Sequence, residues 1–338
     1  MMTSQNKIFL EALKRENNQA RVPIWLLRQA GRYLPEYMEV RKNYSDFFEM
    51  IKKPEVCNEL TLQPLRRFPL DAAITFTDIL TIPDAMNLSV EFIAGKGPVF
   101  ENSILKDRSL RLSSKQAMQK LDYVFEATKM IKSNINVPLI GFTGSPWTLL
   151  VYVFYGQSPS DKSLIKSFIQ SDSNIAHSHL KELTIIIQEY IAEQVKAGAE
   201  CIQIFDSWGG MLEEEYSEFS LSYINQIAEQ LPNDIPLILY TRGKILADFL
   251  EDTKIKCFNL DCADVVDKYI DKDLTIQGNF DPKDFHLSDA ELIEKAKGIK
   301  AKFFNRANYV FNLGSGITPD IKPEKVDLFL AELSGFSS

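Results

Sequence analysis

The chain is poor in the residue types that mark several functional classes. Only three histidines (His177, His179, His286) occur in 338 residues, and none follows an apolar strand-like run, which disfavours histidine-based acid-base or nucleophilic catalysis. His177 and His179 stand two apart in a helical stretch, so their side chains diverge rather than pair on a metal. All three are expected at the surface. The four cysteines (Cys57, Cys201, Cys257, Cys262) are widely spaced, three of them in or beside apolar strand-like runs, which fits reduced thiols of a cytosolic protein rather than disulfides. There is no basic surplus: 38 Lys and Arg against 46 Asp and Glu leave a formal charge of -8, which argues against nucleic-acid binding. The longest apolar stretches, such as Leu149 to Tyr155, fall far short of the roughly 20 residues a membrane-spanning helix needs. Met1 to Ala20 mixes Lys7, Glu11, Lys14, Arg15 and Glu16 with a few apolar residues, and reads as a short amphipathic helix rather than a secretory leader. A soluble, cytoplasmic protein is expected. Finally, no Gly-rich dinucleotide fingerprint follows the first strand and no phosphate loop occurs, which disfavours a doubly wound nucleotide-binding sheet.

What is present is a regular alternation. Apolar runs near residues 24, 74, 140, 203, 238, 258, 276 and 311 read as eight strands, separated by stretches with helical periodicity. The helices are expected at 44–67 in two pieces broken at Pro54 and Pro64, then at 110–134, Trp147–Tyr155, 160–198, 212–229, 245–250, 263–270, 290–302 and 323–333. Ser145 followed by Pro146 marks an N-cap with proline at the first helical position. Pro83 to Asn102 reads as a hairpin-like insertion after the second strand, and no linker interrupts the chain. Eight strand-helix units over ~250 residues or more predict an α/β fold, a (β/α)8 TIM barrel forming a single domain over 1–338.

Several polar residues fall just past the C-terminal ends of these strands, the rim that carries the site in such barrels. Arg28 and Arg32 flank Gly31 after the run Pro23–Leu27, and Asp78, Gly144, Asp206, Ser207, Asn279, Asp281 and Gly314 follow later runs. The two arginines offer planar donor forks suited to carboxylates, or pair with internal ones. Asp78 reads as an isolated carboxylate or as a helix cap, Ser207 as a carboxylate donor or as the cap of a helix from Leu212, and Tyr152 as a site hydroxyl or a packed aromatic beside Trp147.

The ten residues Arg28-Gln-Ala-Gly-Arg-Tyr-Leu-Pro-Glu-Tyr37 resemble the N-terminal signature of the uroporphyrinogen decarboxylase family. Similar patches recur at Phe76–Leu80, Gly141–Leu149, Gln203–Trp208, Gln277–Pro282 and Phe311–Gly314, so the resemblance covers nearly the whole chain. It implies a barrel, a cofactor-free and metal-free decarboxylation of the four acetate arms of uroporphyrinogen III to methyl groups, and a homodimer. Carried to this chain, the family's substrate contacts fall on Arg28, Gln29, Ala30, Gly31, Arg32, Asp78, Tyr152 and Ser207. The arginines would hold substrate carboxylates, and Asp78 would stabilise the cationic pyrrole that forms when a ring carbon is protonated. The proton donor stays open. Arg28 is nearest by position, yet a guanidinium holds its proton above pH ~12 and is a poor acid.

Two other classes remain as alternatives. Zinc-dependent methyltransferases acting on corrinoid methyl donors share a similar barrel but use a His-x-Cys pair, which this chain lacks. A tetrapyrrole-binding protein without turnover is suggested by one departure: where the family usually reads Asn-Leu-Gly-His-Gly, this chain has Asn312-Leu-Gly-Ser-Gly316. Ser315 keeps a short donor and loses the imidazole's reach and charge, which predicts activity with weaker binding or a changed order of the four steps. Ser315→His is therefore expected to change the Michaelis constant or the intermediates that accumulate during turnover. Kinetics and chromatography unchanged on both counts would remove Ser315 from the substrate contacts.

Overall fold

A chain that leaves one strand and re-enters the next in parallel must cross over a face of the sheet, so buried apolar runs alternating with helices dictate a parallel sheet. The computed structural model describes residues 7–93, 95–159 and 161–335. Its strands are β1 (Ala73–Ile74), β2 (Val90–Ile93), β3 (Gly97–Phe100), β4 (Leu139–Gly144), β5 (Cys201–Asp206), β6 (Leu237–Thr241), β7 (Cys257–Asn259), β8 (Thr275–Gln277) and β9 (Tyr309–Val310). Seven of them form one curled parallel sheet in the order β1-β4-β5-β6-β7-β8-β9, while β2 and β3 pair apart as the expected antiparallel hairpin.

The first apolar run contributes a stave rather than a regular strand, because its pairing is reduced to single contacts. Ile24 forms a parallel bridge with Phe311; Trp25 N–H donates to the Phe311 carbonyl at 3.2 Å, and Phe311 N–H to the Pro23 carbonyl at 2.8 Å. On the other side, Asp71 N–H donates to the Ile24 carbonyl at 2.7 Å. The Asp71 carboxylate accepts the Ile24 N–H at 2.8 Å and both Arg21 Nη atoms, at 2.8 and 2.5 Å. The two edges of the sheet are thus joined through residue 24, and the barrel closes. Burial pushes the Asp71 carboxyl above its usual range, against the pull of Arg21 and the Ile24 N–H.

Inside the barrel, the helix Ile8–Leu13 plugs the N-terminal ends of the strands. Its Phe9, Ala12 and Leu13 pack with Trp25, Ile140, Cys201, Ile238, Cys257 and Val310. Above that apolar plug lies a polar belt: Trp25 Nε1 donates to Gln277 Oε1 at 2.6 Å, the Leu27 N–H to Asn312 Oδ1 at 2.6 Å, Asn312 Nδ2 to Asn259 Oδ1, and Asn259 Nδ2 to the Leu313 carbonyl at 3.1 Å.

Several expected elements are shorter than their periodicity suggests. β1 ends at Ile74 because Phe76 N–H turns to Thr61 Oγ1 on the neighbouring helix (3.1 Å). Pro64 does not break a helix; it sits inside Pro54–Arg67. The helix expected from residue 110 starts at Asp122 after a 3₁₀ turn, and the one expected from Leu212 starts after Tyr216. The units after β6 and β7 shrink to 3₁₀ turns, Leu246–Asp248 and Val266–Lys268, where Asp264 receives the Leu246 N–H at 2.9 Å and the Tyr269 hydroxyl at 2.8 Å. All four cysteines are free. The expectation of surface histidines fails for His179, which is 1% exposed among helices, and burial pushes its pKa down to about 4.

Because the Asp71 carboxylate serves three donors at the closure, both Arg21 Nη atoms and the Ile24 N–H, Asp71→Ala is expected to lower stability by about 3–5 kcal/mol. The check is the denaturant midpoint at constant m-value. A loss under about 1 kcal/mol would mean that the backbone contacts close the barrel unaided.

Candidate active site

The chain leaves the closing stave through Arg28, which holds a left-handed backbone at φ +60°. A non-glycine residue there costs roughly 1–2 kcal/mol, and such outliers cluster at functional sites. The Arg28 side chain runs between two glycines. A Cβ at Gly31 would lie 3.5 Å from its Cγ, and one at Gly316 only 3.1 Å from its Nε, so Gly316 leaves the room in which Arg28 lies against the loop after β9. Arg32 is exposed on the same side.

Asp78 stands half-buried in the loop after β1. Its Oδ1 accepts the Leu80 N–H at 2.8 Å in a local turn, the following helix Thr81–Pro83 has no side-chain cap, and Oδ2 has no partner among the described residues. Burial pushes its carboxyl up to about 6, opposed by the Leu80 N–H and by Arg28. Arg28 acts on it from a distance, since the two form no ion pair among the described residues.

Ser145 caps the helix Pro146–Tyr155 by accepting the Thr148 N–H at 2.9 Å. It also donates to Asp206 Oδ1 at 2.6 Å, and Thr148 and Ser220 donate to the same fully buried carboxylate at 3.1 and 2.9 Å. This hydroxyl cluster ties the helix carrying Tyr152 to the end of β5, which carries Ser207 and Trp208. Tyr152 meets Trp208 edge-on at 5.9 Å between centroids, and burial, then Asp78, raise its hydroxyl pKa while Arg242 lowers it.

The remaining expected residues are placed as follows. Ser207 is half-buried with no hydrogen bond among the described residues, and no helix starts at Leu212, which is extended; the capping alternative is removed. Ser315 accepts a weak hydrogen bond from Cys262 Sγ at 3.8 Å. Gln29 is 1% exposed and its amide has no partner among the described residues, so its side chain is not presented at the surface; Ala30 is half-buried.

Two neighbours were not singled out from the sequence. Tyr240 at the end of β6 donates its hydroxyl to the Gly314 carbonyl at 3.1 Å, and Arg242 follows one residue after the strand. The signal was present, since Thr241-Arg-Gly243 repeats the pattern of an apolar run followed by Arg and Gly.

The arginines divide into two groups. Elsewhere each guanidinium meets a carboxylate (Arg15, Arg21, Arg66, Arg67, Arg306), a backbone carbonyl (Arg41, Arg111) or aromatic faces (Arg108). Among the described residues, Arg28, Arg32 and Arg242 have no such partner. Internal ion pairing therefore does not explain Arg28 and Arg32. No group of three metal-binding side chains comes together among the described residues.

A family model described as uroporphyrinogen decarboxylase (URO-D) matches residues 4–335. The chain is 40% identical over 341 residues to a uroporphyrinogen decarboxylase of Legionella pneumophila (strain Paris), covering 98% of this chain and 97% of that protein. It is 40% identical over 345 residues to one from Francisella philomiragia subsp. philomiragia, covering 98% and 99%. Among solved structures, a methyltransferase from Methanosarcina mazei superposes with a TM-score of 0.77 at 19% identity over 99% of both chains. A B12-independent methionine synthase from Shewanella sp. W3-18-1 gives 0.53 at 13% identity, covering 85% and 87%. These two likenesses concern the fold alone, and with the closed sheet they identify it as TIM-barrel-like.

The raised pKa of Asp78 has a consequence for stability. Its carboxyl ionises near 3.8 ordinarily and near about 6 in the fold, so the fold favours the neutral acid, and that contribution is lost as pH rises through 6. Asp78→Asn, which can still accept the Leu80 N–H, is expected to be at least as stable as the parent at pH 7, with any advantage shrinking as pH falls toward 4. Urea midpoints across that range are the check; a variant less stable at pH 7 would contradict the electrostatic assignment.

Proposed function

The chain belongs to the uroporphyrinogen decarboxylase family, carboxy-lyases of porphyrin biosynthesis, and we propose that it converts uroporphyrinogen III to coproporphyrinogen III without an external cofactor. Each acetate arm loses carbon dioxide and takes up a proton to become a methyl group. Protonation of a pyrrole carbon makes the ring cationic, and the electron pair released by the departing carboxylate neutralises it. The observation that carries this reading is Asp78: a carboxylate with one oxygen anchored by the Leu80 N–H and the other without a partner, in surroundings dry enough to raise its pKa to about 6.

In that setting a fixed carboxylate beside the pyrrole N–H groups stabilises the cation far more than water would. It is still mostly ionised at neutral pH, as the role requires. Arg28 and Arg32, free of internal carboxylates, bind substrate carboxylates with their donor forks, and the loop Gln29-Ala-Gly31 shapes the turn that presents them. Tyr152 and Ser207, held together by the Asp206 hydroxyl cluster, give hydroxyls to the arms, and Ser315 replaces the family imidazole at the loop that packs on Arg28. The working unit is a cytoplasmic homodimer whose 338 residues form one domain; light scattering giving a monomer mass at micromolar concentration would contradict the dimer.

The test is anaerobic incubation of metal-stripped protein with uroporphyrinogen III, with hepta- to tetracarboxylate products followed by chromatography. The parent is expected to form them, Asp78→Asn to be slower by about 10²-fold or more, and the parent's rate to fall as pH drops below about 6, where Asp78 takes up a proton. Product formation unaffected by Asp78→Asn would overturn the assignment. Binding without carbon dioxide release would favour a tetrapyrrole-binding protein instead.

A further inference from the structure

We propose that Arg242 is a substrate-carboxylate anchor on the side of the mouth opposite Arg28 and Arg32, a specificity role that rests on the decarboxylase reading above. The sheet runs β1-β4-β5-β6-β7-β8-β9, and Ile24 closes it between β9 and β1, so β6 lies four staves from the Ile24 stave in either direction. Arg28 follows one of these staves and Arg242 follows the other.

The backbone of Arg242 is fixed at the rim. Its N–H donates to the Asp206 carbonyl at 3.2 Å, and its carbonyl accepts the Gly210 N–H at 3.0 Å. The loops after β5 and β6 touch backbone to backbone there, since a Cβ on Gly210 would meet the Gly243 carbonyl oxygen at 2.5 Å. Gly243, at φ +70°, then turns the chain away. The next cation, Lys244, is committed elsewhere: it donates to the Glu213 carbonyl at 3.3 Å and lies over the Tyr216 ring at 5.2 Å. Arg242 has no acceptor among the described residues and is exposed. It stands near the mouth: it directly follows β6, which carries Tyr240, and its charge lies close enough to lower the hydroxyl pKa of both Tyr152 and Tyr240, as Arg28 also does for Tyr240.

A uroporphyrinogen carries carboxylate arms around its whole rim. Cations on one side alone leave the far arms unpaired. Arg242 meets those arms with the same donor fork, while Ser315 on the near side provides no charge.

The test measures binding apart from turnover. Stable, oxidised uroporphyrin is titrated by fluorescence against the parent, Arg242→Met and Arg242→Lys, with uroporphyrinogen kinetics run in parallel and circular dichroism confirming the fold. Arg242→Met is expected to weaken uroporphyrin binding and raise KM by about tenfold, with kcat changed much less; Arg242→Lys recovers part of the loss, and the effect shrinks at high salt. Affinity and KM equal to the parent's in Arg242→Met would overturn the proposal, as would a loss confined to kcat. If the parent binds uroporphyrin but releases no carbon dioxide, the decarboxylase reading fails, and the binding arm still decides the role of Arg242.

Discussion

The site depends on how the barrel closes at Ile24. With one residue bridging Phe311 on one side and Asp71 on the other, the first stave has almost no ladder of its own, and the Asp71 carboxylate supplies acceptors that a longer strand would have found in its neighbour. A short stave lets the chain turn at once. Arg28 follows four residues after Ile24 in a left-handed conformation that a continuing strand would not allow. The loop after β9 comes back against it, where Gly316 leaves room for the guanidinium. Closure and the placement of the first arginine are one structural event, so the Arg21–Asp71 pair supports the site without belonging to it.

Within the mouth, the charges divide between those left in solvent and one held at a cost in stability. Among the described residues, the guanidinium groups of Arg28, Arg32 and Arg242 have no acceptor, and Asp78 has one carboxylate oxygen without a partner while its surroundings favour the neutral acid. Asp78 alone carries that cost, since a carboxylate withdrawn from water without full hydrogen bonding destabilises, whereas the arginines lie in solvent. Asp206, two strands further on in the sheet, shows the contrast. It is more deeply buried, yet Ser145, Thr148 and Ser220 satisfy it, and it fastens two elements together. The satisfied carboxylate fixes neighbouring elements, and the incompletely satisfied one has the free oxygen that the proposed role requires.

The parts of this architecture visible in the sequence are those where one physical signal dominates. Leu139–Gly144, Cys201–Asp206 and Leu237–Thr241 are buried on both faces, so each reads as a continuous apolar run, and Ser145-Pro146 marks the next helix by its capping chemistry. Positions set by distant partners are not visible in this way. The end of β1 depends on Thr61, the collapse of the units after β6 and β7 depends on Asp264 and Tyr269, and the burial of His179 depends on helices packing around it. Asp78 was legible as a strand-end carboxylate, but its division into an oxygen anchored by the Leu80 N–H and one without a partner among the described residues is set by the local backbone turn. Arg242 is the instructive miss, because the strand-end rule applies to it as fully as to Arg28.

Electrostatics on two length scales explain how a chain with a formal charge of -8 can attract a polyanion. At physiological ionic strength, exposed charges separated by more than about 8 Å are largely screened. The acidic surplus distributed over the outside therefore does little at the mouth. In the proposed reading, what a carboxylate arm meets on entering is local: Arg28 and Arg32 beside one stave and Arg242 beside the opposite one, near the ring pairs Tyr152–Trp208 and Phe205–Tyr240. Burial raises the pKa of Asp78, and in the proposed reaction the arginines would receive the substrate's negative arms while Asp78 faces its cationic ring. A more polar mouth would weaken both.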